Sequence, residues 1–232
     1  MLGAEMWCVI PAKRRESAKQ RLSRVLGSRE RATLCEVMLR DVLAAVSKTQ
    51  GLEGVVLVTG DEVLAAIGRR FGARILDTGG DEGTRRAVAF AALRLLREHA
   101  AGMLVLPSDI PAVTPVEIGR LLAAHRTAAA VTLAPALQDL GTNALAVSPC
   151  DAVELCFGER SFPAHLEAAR RVGIEPSIVP LPGIGFDIDR PLDLVRFLAL
   201  ETETLTHRFM QGLNRHGHAV SCQGGANAEF VL

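Results

Sequence analysis

Short apolar runs alternate with amphipathic segments along most of this chain, and this alternation limits its fold more than any other feature. The apolar runs at 6–10, 55–58, 73–76 and 103–106 have the length of buried strands. Between them, apolar residues recur every three or four positions, which is typical of helices packed on a sheet. Strands that alternate with helices form a mostly parallel, twisted sheet with helices on both faces. The sequence therefore predicts an α/β fold, namely a three-layer αβα sandwich.

Local signals place the remaining elements of this fold. Helices are predicted at 28–46, 61–67, 85–99, 161–171 and 191–203, and further strands at 128–133, 143–147 and 176–180. Asp61 is a predicted N-cap, and Thr114 with Glu117 forms a capping box at another helix start. The stretch 135–180 departs from the alternation, so we expect it to carry a small β-rich insertion over the sheet edge.

Composition limits the number of domains and the kinds of partner. A chain of 232 residues suits one α/β domain, expected at 1–206, with a tail at 207–232 that is partly disordered. The formal net charge of zero gives no electrostatic case for a nucleic acid or an anionic membrane as partner. No apolar run reaches the ~20 residues of a membrane span, and basic residues follow the first strand instead of preceding it as in a signal peptide. The five cysteines are an odd, scattered set, so we expect free thiols and a cytoplasmic protein.

A basic loop follows the first predicted strand, where phosphate-binding loops often lie. The chain has no Walker A motif and no G-x-G-x-x-G turn. The segment 11–22 instead carries five cations, which are Lys13, Arg14, Arg15, Lys19 and Arg21. Ammonium and guanidinium groups in such a loop can wrap a triphosphate and neutralise a departing pyrophosphate. The alternative is a solvated basic turn, but the position at the carboxyl end of a strand favours ligand binding.

Three aspartates close short apolar runs that resemble buried strands. Asp109 follows one such run, and Asp187 and Asp189 follow another. Ligands collect beyond the carboxyl ends of strands in an open α/β sheet, and carboxylates there suit Mg²⁺ with a bound phosphate. Alternatively, Asp189 caps the helix that begins at Pro191, and Asp109 is a turn residue. The three together favour a metal site.

The motifs that carry these residues resemble, in order, those of a known enzyme family. The matching segments are 12–14, 18–22, 106–111, 141–145, 157–165 and 186–191. In these segments the chain is similar to the 2-phospho-L-lactate and phosphoenolpyruvate guanylyltransferases of coenzyme F-420 biosynthesis. That family has the MobA-like nucleotidyltransferase fold. The resemblance spans residues 7 to about 200. It is specific because five weak motifs, of which the opening loop comprises 12–14 and 18–22, occur in the right order.

The resemblance assigns roles to residues of this chain. By similarity, Mg²⁺ is bound by Asp109, Asp187 and Asp189; the nucleotide, GTP, by Pro11, Ala12, Lys13, Gly83, Arg85 and Asp109; and a small phosphorylated acid by Thr142, Gly158 and Ser161. Lys13, Lys19 and Arg21 are the implied catalytic cations. On the sequence alone Ser161 could equally be a helix N-cap, and we interpret His165 as a packing residue. Arg160 is a further cation beside this pocket.

The implied reaction transfers GMP from GTP to 2-phospho-L-lactate, phosphoenolpyruvate or 3-phospho-D-glycerate. A downstream transferase that receives the product and a homodimer are implied as partners. The chief departure is at 83–86, where Thr84 and Arg85 replace the usual Leu-Asn and put the base preference in doubt. Three other interpretations stay open. They are a transferase with another base or acceptor, a nucleotide-sugar transferase that uses the D-x-D pattern at 187–189, and a non-catalytic nucleotide-binding subunit.

Overall fold

The structure is a computed structural model that describes residues 6–80, 83–126 and 129–215. The strands in these residues are β1 (Met6–Pro11), β2 (Leu52–Val58), β3 (Arg74–Leu76), β4 (Gly102–Val105), β5 (Ala130–Pro135), β6 (Thr142–Ser148) and β7 (Ser177–Ile178). The helices are α1 (Ser28–Ser47), α2 (Glu62–Arg70), α3 (Thr84–Arg97), α4 (Pro115–Ala124), α5 (Ser161–Arg171), α6 (Pro191–Leu198) and α7 (Leu205–Arg215). Thus the predicted alternation of strands and helices is confirmed through β4.

The strand order creates a crevice at the carboxyl end of β1. The sheet runs β3-β2-β1-β4-β6-β5-β7, so the chain leaves β1 in one direction for β2 and β3 and crosses to the other side for β4. Ligands bind at such reversal points in open α/β sheets. Strand β6 runs antiparallel to both β4 and β5, so its first residue, Thr142, lies at the same edge as the carboxyl ends of β1 and β4.

Helices cover both faces of the sheet, which confirms the three-layer αβα sandwich. On one face, Ile10 and Leu104 are buried in a cluster with side chains of α1, α2 and α4. On the other face, Val9 and Val105 are buried in a cluster with α3 and α5. Alternate residues of β1 thus point into different cores, because successive side chains of a strand project to opposite faces.

The stretch 135–180 differs from the expected insertion over the sheet edge. In the described residues its strands β6 and β7 belong to the main sheet, where β7 pairs with β5. The strand predicted at 176–180 shortens to Ser177–Ile178. It is flanked by Pro176 and Pro180, whose nitrogens cannot donate to a strand ladder. The predicted start of β5 at residue 128 lies outside the described residues.

The helix predicted at 191–203 is wrong in length, and a further helix follows it. Helix α6 ends at Leu198, and α7 begins at Leu205 and runs past the expected tail boundary at 206/207. Asp41 of α1 accepts hydrogen bonds from the backbone N–H groups of Leu205 and Thr206, each at 2.9 Å. Thr204 also accepts from the backbone N–H of His207 at 3.2 Å, so the start of α7 combines a local N-cap with a contact from a residue distant in sequence. The sequence analysis did not single out Thr204. Residues 216–232 of the tail lie outside the described residues.

Two further expectations concern membrane spans and thiols. None of the described helices is both long and apolar enough to cross a membrane. Four cysteines, namely Cys8, Cys35, Cys150 and Cys156, are free thiols as expected. Cys222 lies outside the described residues.

Candidate active site

Two cavities meet at the crevice. The first, of about 390 Å³, is lined by the basic loop, including Lys13, Lys19 and Arg21, and by the segment after β4. The second, of about 280 Å³, is lined by residues at the start of β6 and α5, including Thr142, Gly158 and Ser161. Both are lined by Asp109 and Asp189. Residues predicted to bind the triphosphate and the acid therefore face neighbouring cavities that share two carboxylates.

Lys19 joins the basic loop to the carboxylates. Its Nζ lies 2.5 Å from Oδ2 of Asp109 and 3.2 Å from Oδ1 of Asp189. The side chain is only 7% exposed. Burial disfavours the ammonium form, but the charges of Asp109 and Asp189 outweigh burial and raise the pKa of Lys19. Lys19 is therefore a buried, permanently charged cation between two acids.

Asp189 is paired with cations and does not cap α6. Arg21 Nη1 lies 2.7 Å from its Oδ2. Although burial would raise the pKa of Asp189, Lys19 and Arg21 hold it below its usual value. The cap position of α6 is Arg190, and Asp193 accepts from the N–H groups of both Asp189 and Arg190. The N-cap alternative for Asp189 is thus wrong, because Arg190 occupies the cap position and the Asp189 carboxylate is paired with Lys19 and Arg21.

Asp187 is a half-buried acid that, unlike Asp189, has a raised pKa. Burial, and then the charge of Asp109, raises its pKa to about 6. Asn143 Nδ2 donates to its Oδ1 at 3.0 Å, and Gln138 donates to its backbone carbonyl at 3.3 Å. Asn143 follows Thr142 directly, so the residue beside the predicted acid contact orients one of the predicted metal ligands. The sequence did not single out Asn143; its place inside a recognised motif was the available signal.

Asp187→Asn is expected to stabilise the ligand-free protein at neutral pH. The pKa of Asp187 rises on folding from its ordinary 3.8 to about 6, so its contribution to stability is full below pH 3.8 and is lost as the pH rises through about 6. Removing the charge should therefore raise the free energy of unfolding by about 1–3 kcal/mol at pH 8 and leave it nearly unchanged at pH 4. Urea unfolding at both pH values measures the difference. A native protein that is more stable than D187N at pH 8 would contradict this.

The donor chemistry at the crevice fits a hydrated divalent cation, provided that ligand oxygens complete its shell. Within the described residues, no three His, Cys, Asp or Glu side chains converge closely enough to enclose a metal ion themselves. Asp109, Asp187 and Asp189 nevertheless line one cavity. Mg²⁺ commonly takes one or two carboxylates and completes its shell with phosphate and water. The three aspartates thus fit part of a magnesium shell and not a closed cage.

Not all five cations of the basic loop face the cavities. Arg15 Nε donates to Asp61 at 3.0 Å, its backbone N–H donates to the same carboxylate, and its guanidinium also pairs with Glu36. Asp61 caps α2 as predicted, through the N–H groups of Val63 and Leu64. Arg15 therefore anchors the loop to α1 and α2, and Lys13, Lys19 and Arg21 line the first cavity.

A small cavity of about 40 Å³ lies beside the first one. It is lined by the predicted nucleotide residues Pro11, Ala12, Lys13 and Gly83, together with Thr84. Arg85 is directed elsewhere, because its Nη2 donates to Glu154 at 2.8 Å. The structure thus brings together five of the six predicted nucleotide residues, counting Asp109 in the adjoining cavity, and adds Thr84 in place of Arg85.

Ser161 is bonded to β6 and does not cap α5. The cap position is Arg160, in a left-handed conformation with φ 53°, and it makes no side-chain cap. Ser161 Oγ accepts from the backbone N–H of Thr142 at 2.9 Å. His165 Nδ1 lies 3.0 Å from Thr142 Oγ1, and its Nε2 accepts from the N–H of Cys156. His165 is fully buried as a packing residue would be, but it is also bonded to a residue of the cavity wall.

The loop that carries Asp187 and Asp189 is held by a glycine and a buried acid. Glu117 Oε1 accepts from the N–H of Gly183 at 2.7 Å. A Cβ on Gly183 would lie 2.4 Å from the carbonyl oxygen of Ala112 and 2.4 Å from Glu117 Oε2. The backbone can approach this closely only without a side chain at position 183.

Gly183→Ala is expected to lower the free energy of unfolding by about 1–3 kcal/mol, because Ala112 and Glu117 must move to admit the methyl group. Thermal and urea unfolding measure the loss. The matched control is Gly119→Ala in α4, where a Cβ meets nothing within 4 Å. It should be neutral or stabilising by up to about 1 kcal/mol. Equal effects of the two substitutions would contradict the steric argument.

Curated proteins named as guanylyltransferases match most of this chain. A phosphoenolpyruvate guanylyltransferase of Rubrobacter xylanophilus is 35% identical over 194 residues, covering 84% of this chain and 94% of the relative. A 3-phospho-D-glycerate guanylyltransferase of Colwellia psychrerythraea is 35% identical and covers 85% and 93%. A 2-phospho-L-lactate guanylyltransferase of Methanothermobacter thermautotrophicus is 31% identical and covers 80% and 81%.

Solved structures support the fold alone, because their sequence identity is low. A structure from Desulfovibrio desulfuricans, named as a nucleotide-diphospho-sugar transferase, superposes with a TM-score of 0.72 at 16% identity, covering 91% of this chain and 96% of the other. A 4-diphosphocytidyl-2C-methyl-D-erythritol synthase superposes with a TM-score of 0.58 at 17% identity, covering 85% and 99%. The family described as "Guanylyl transferase CofC like" matches residues 6–232. From this match and the curated relatives, the chain belongs to the CofC-like guanylyl transferase family.

Proposed function

We propose that this protein transfers GMP from GTP to a small phosphorylated carboxylic acid and releases pyrophosphate, as a step in the biosynthesis of the deazaflavin coenzyme F-420. The observation that carries the proposal is the pair of cavities that meet at Asp109 and Asp189, with Lys19 between these acids. Two polyanions that react with each other need adjoining sites and cations at their boundary. The named relatives act on phosphoenolpyruvate, 3-phospho-D-glycerate and 2-phospho-L-lactate, which makes these the acids to test.

In the proposed reaction, a phosphate oxygen of the acid forms a bond to the α-phosphorus of GTP as the bond to pyrophosphate breaks. The attacking oxygen already carries negative charge, so no side chain has to remove a proton. Lys13, Lys19 and Arg21 bind and neutralise the triphosphate and the departing pyrophosphate. When bound, Mg²⁺ would supply further charge neutralisation at the phosphates, held by Asp109, Asp187 and Asp189.

The two substrates are assigned to the two sides of the crevice. GTP extends from the small cavity at Pro11, Ala12, Gly83 and Thr84 toward Lys19. The acid binds at Thr142, Gly158 and Ser161. Ser161 begins α5, and the free N–H groups at a helix start favour an anion. Arg85, paired with Glu154, is not needed for nucleotide binding in this arrangement.

The test is pyrophosphate release with GTP and Mg²⁺, run separately with 2-phospho-L-lactate, phosphoenolpyruvate and 3-phospho-D-glycerate. Release with at least one acid, lost when the metal is chelated, supports the proposal and names the substrate. CTP, ATP and UTP replace GTP in parallel, because Thr84 and Arg85 stand where the family has Leu-Asn, in the segment beside the small cavity. Activity with CTP alone would reassign the base. Silence with every pair of nucleotide and acid would overturn the proposal and direct attention to nucleotide-sugar binding or a non-catalytic role.

We further place the reaction in the cytoplasm, which is consistent with the four free thiols. The guanylylated product is a mixed anhydride that a downstream transferase would consume. A homodimer follows from the family resemblance, and light scattering of the purified protein tests it.

A further inference from the structure

Thr142, Ser161 and His165 form a buried hydrogen-bonded group behind the second cavity. Thr142 and Ser161 line that cavity, and His165 lies behind them with no exposed surface. His165 Nδ1 is 3.0 Å from Thr142 Oγ1, and Ser161 Oγ accepts from the Thr142 N–H at 2.9 Å. Thr142 is therefore held from two sides.

The direction of these hydrogen bonds follows from a single backbone amide. The N–H of Cys156 lies 2.9 Å from His165 Nε2, and an amide N–H can only donate, so Nε2 accepts and carries no proton. A neutral imidazole with an unprotonated Nε2 carries its proton on Nδ1. Nδ1–H therefore donates to Thr142 Oγ1, and the Thr142 hydroxyl cannot donate to His165. Its own hydrogen is left for another acceptor.

The same reasoning applies to Ser161. Its Oγ accepts from the Thr142 amide, so its hydroxyl hydrogen is also left for another acceptor. Within residues 6–80, 83–126 and 129–215, neither hydroxyl hydrogen has an acceptor. Both side chains line the cavity, so a ligand there meets two hydroxyl groups fixed as donors. Two donors select an anionic group over a hydroxyl or an ammonium group.

We propose that His165 is a positioning residue that fixes the Thr142 hydroxyl as a donor to an anionic group of the phosphorylated acid. The inference rests on the proposed function for the identity of the acid. The orientation of the ring is fixed independently by Phe157, which meets it edge to face with ring centroids 4.9 Å apart. Phe157 also lines the second cavity, so the ring is held on one side by the cavity wall and on the other by Cys156.

Two substitutions of His165 separate positioning from packing. The amide nitrogen of asparagine reaches the place of Nδ1 and can donate to Thr142, whereas glutamine reaches the place of Nε2 and can accept only from Cys156. We expect H165Q to raise the KM of the acid about tenfold, the value of one hydrogen bond to a charged group, and to leave the KM of GTP within about twofold. H165N should restore the KM of the acid to within about threefold of the native value.

A double-mutant cycle tests whether His165 acts through Thr142. Thr142→Val removes the hydroxyl, so adding H165Q to T142V should leave the KM of the acid unchanged within about twofold. His125→Gln is the matched control, because His125 also bonds to a threonine and a serine, Thr132 and Ser148, away from the cavities. It should lower the melting temperature without raising the KM of the acid. Additive effects of H165Q and T142V, or an equal loss in H165N and H165Q, would overturn the proposal.

The tautomer of His165 supplies a readout that does not depend on turnover. Nitrogen-15 NMR of the native protein should show the proton on Nδ1, and a proton on Nε2 would overturn the proposal. If the native protein transfers GMP to none of the acids, the proposed function fails. The NMR result still shows whether His165 Nδ1 carries the proton that it would donate to Thr142. A wrong tautomer assignment is therefore distinguishable from a wrong assignment of the reaction.

Discussion

Lys19→Met is expected to reduce kcat for pyrophosphate release by about a thousandfold, the upper range for removal of one preorganised group that stabilises developing negative charge. Lys19 is buried against Asp109 and Asp189 and cannot be replaced by a solvent cation. Methionine has a similar length and an unbranched, adaptable side chain, so the packing around position 19 should survive. Steady-state pyrophosphate release with saturating GTP and acid measures the loss, and circular dichroism checks the fold.

The matched control is Lys48→Met, at the end of α1 on the protein surface. It removes the same charge from the same kind of side chain, and its kcat should stay within about twofold of the native value. A K19M protein that is folded and retains more than about a tenth of native kcat would show that Lys19 only balances the charge of the two acids. The catalytic role would then pass to Lys13 and Arg21.

Asp109→Asn should also reduce kcat by about a thousandfold, while the shape of the side chain is kept. Asp109 lines both cavities and accepts from Lys19, so it lies where the two proposed substrate sites adjoin. Its charge also raises the pKa of Asp187, and the substitution should therefore bring the pKa of Asp187 down toward its ordinary value. Pyrophosphate release measures the first effect, and carbon-13 NMR of the aspartate carboxyls measures the second.

Asp151→Asn, an exposed acid in the turn after β6, controls for the loss of one negative charge. It should change neither kcat nor the pKa of Asp187. A D109N protein that lowers the pKa of Asp187 but keeps its activity would place Asp109 beside the site without a part in the reaction. Magnesium titrations of both variants, followed by melting temperature in the presence of GTP, distinguish a lost metal ligand from a lost charge.

Features with local causes could be predicted from the sequence. The Asp61 cap and the capping box of Thr114 and Glu117 lie within four residues of the N–H groups that they satisfy, and both are confirmed. The buried strands through β4 have apolar runs bounded by turn residues. Helix α7 has a local cap in Thr204, but the predicted helix at 191–203 extended up to that residue and hid the new start, and the further contact from Asp41 of α1 is distant in sequence.

In the candidate site, too, features with local causes could be predicted and contacts between distant segments could not. The basic loop and Asp109 were predicted because each follows a strand end, and strand ends of one sheet edge must lie together. The expectation that Asp187 and Asp189 also close a buried strand is wrong, because the apolar run before them forms turns in the segment between β7 and α6. The partner of each charged side chain could not be predicted. Arg15 turns to Asp61 and Glu36, and Arg85 turns to Glu154, because these acids are brought near only by the packing of separate helices. The roles of Ser161 and Asp189 were left open for the same reason.

The two cavities of the site draw most of their distinctive residues from different parts of the chain, on either side of the start of the antiparallel strand β6. Residues that line the first cavity come chiefly from the first 109 positions. Thr142, Gly158 and Ser161 of the second cavity come from the later part of the chain, and Thr142 begins the antiparallel strand β6. Substitutions in the later part can therefore alter the acid cavity while the loop after β1 is untouched. Relatives named for three different acids match this chain at 31–35% identity. We expect exchanges of residues at Thr142, Gly158 and Ser161, and not in the loop after β1, to change which acid is accepted.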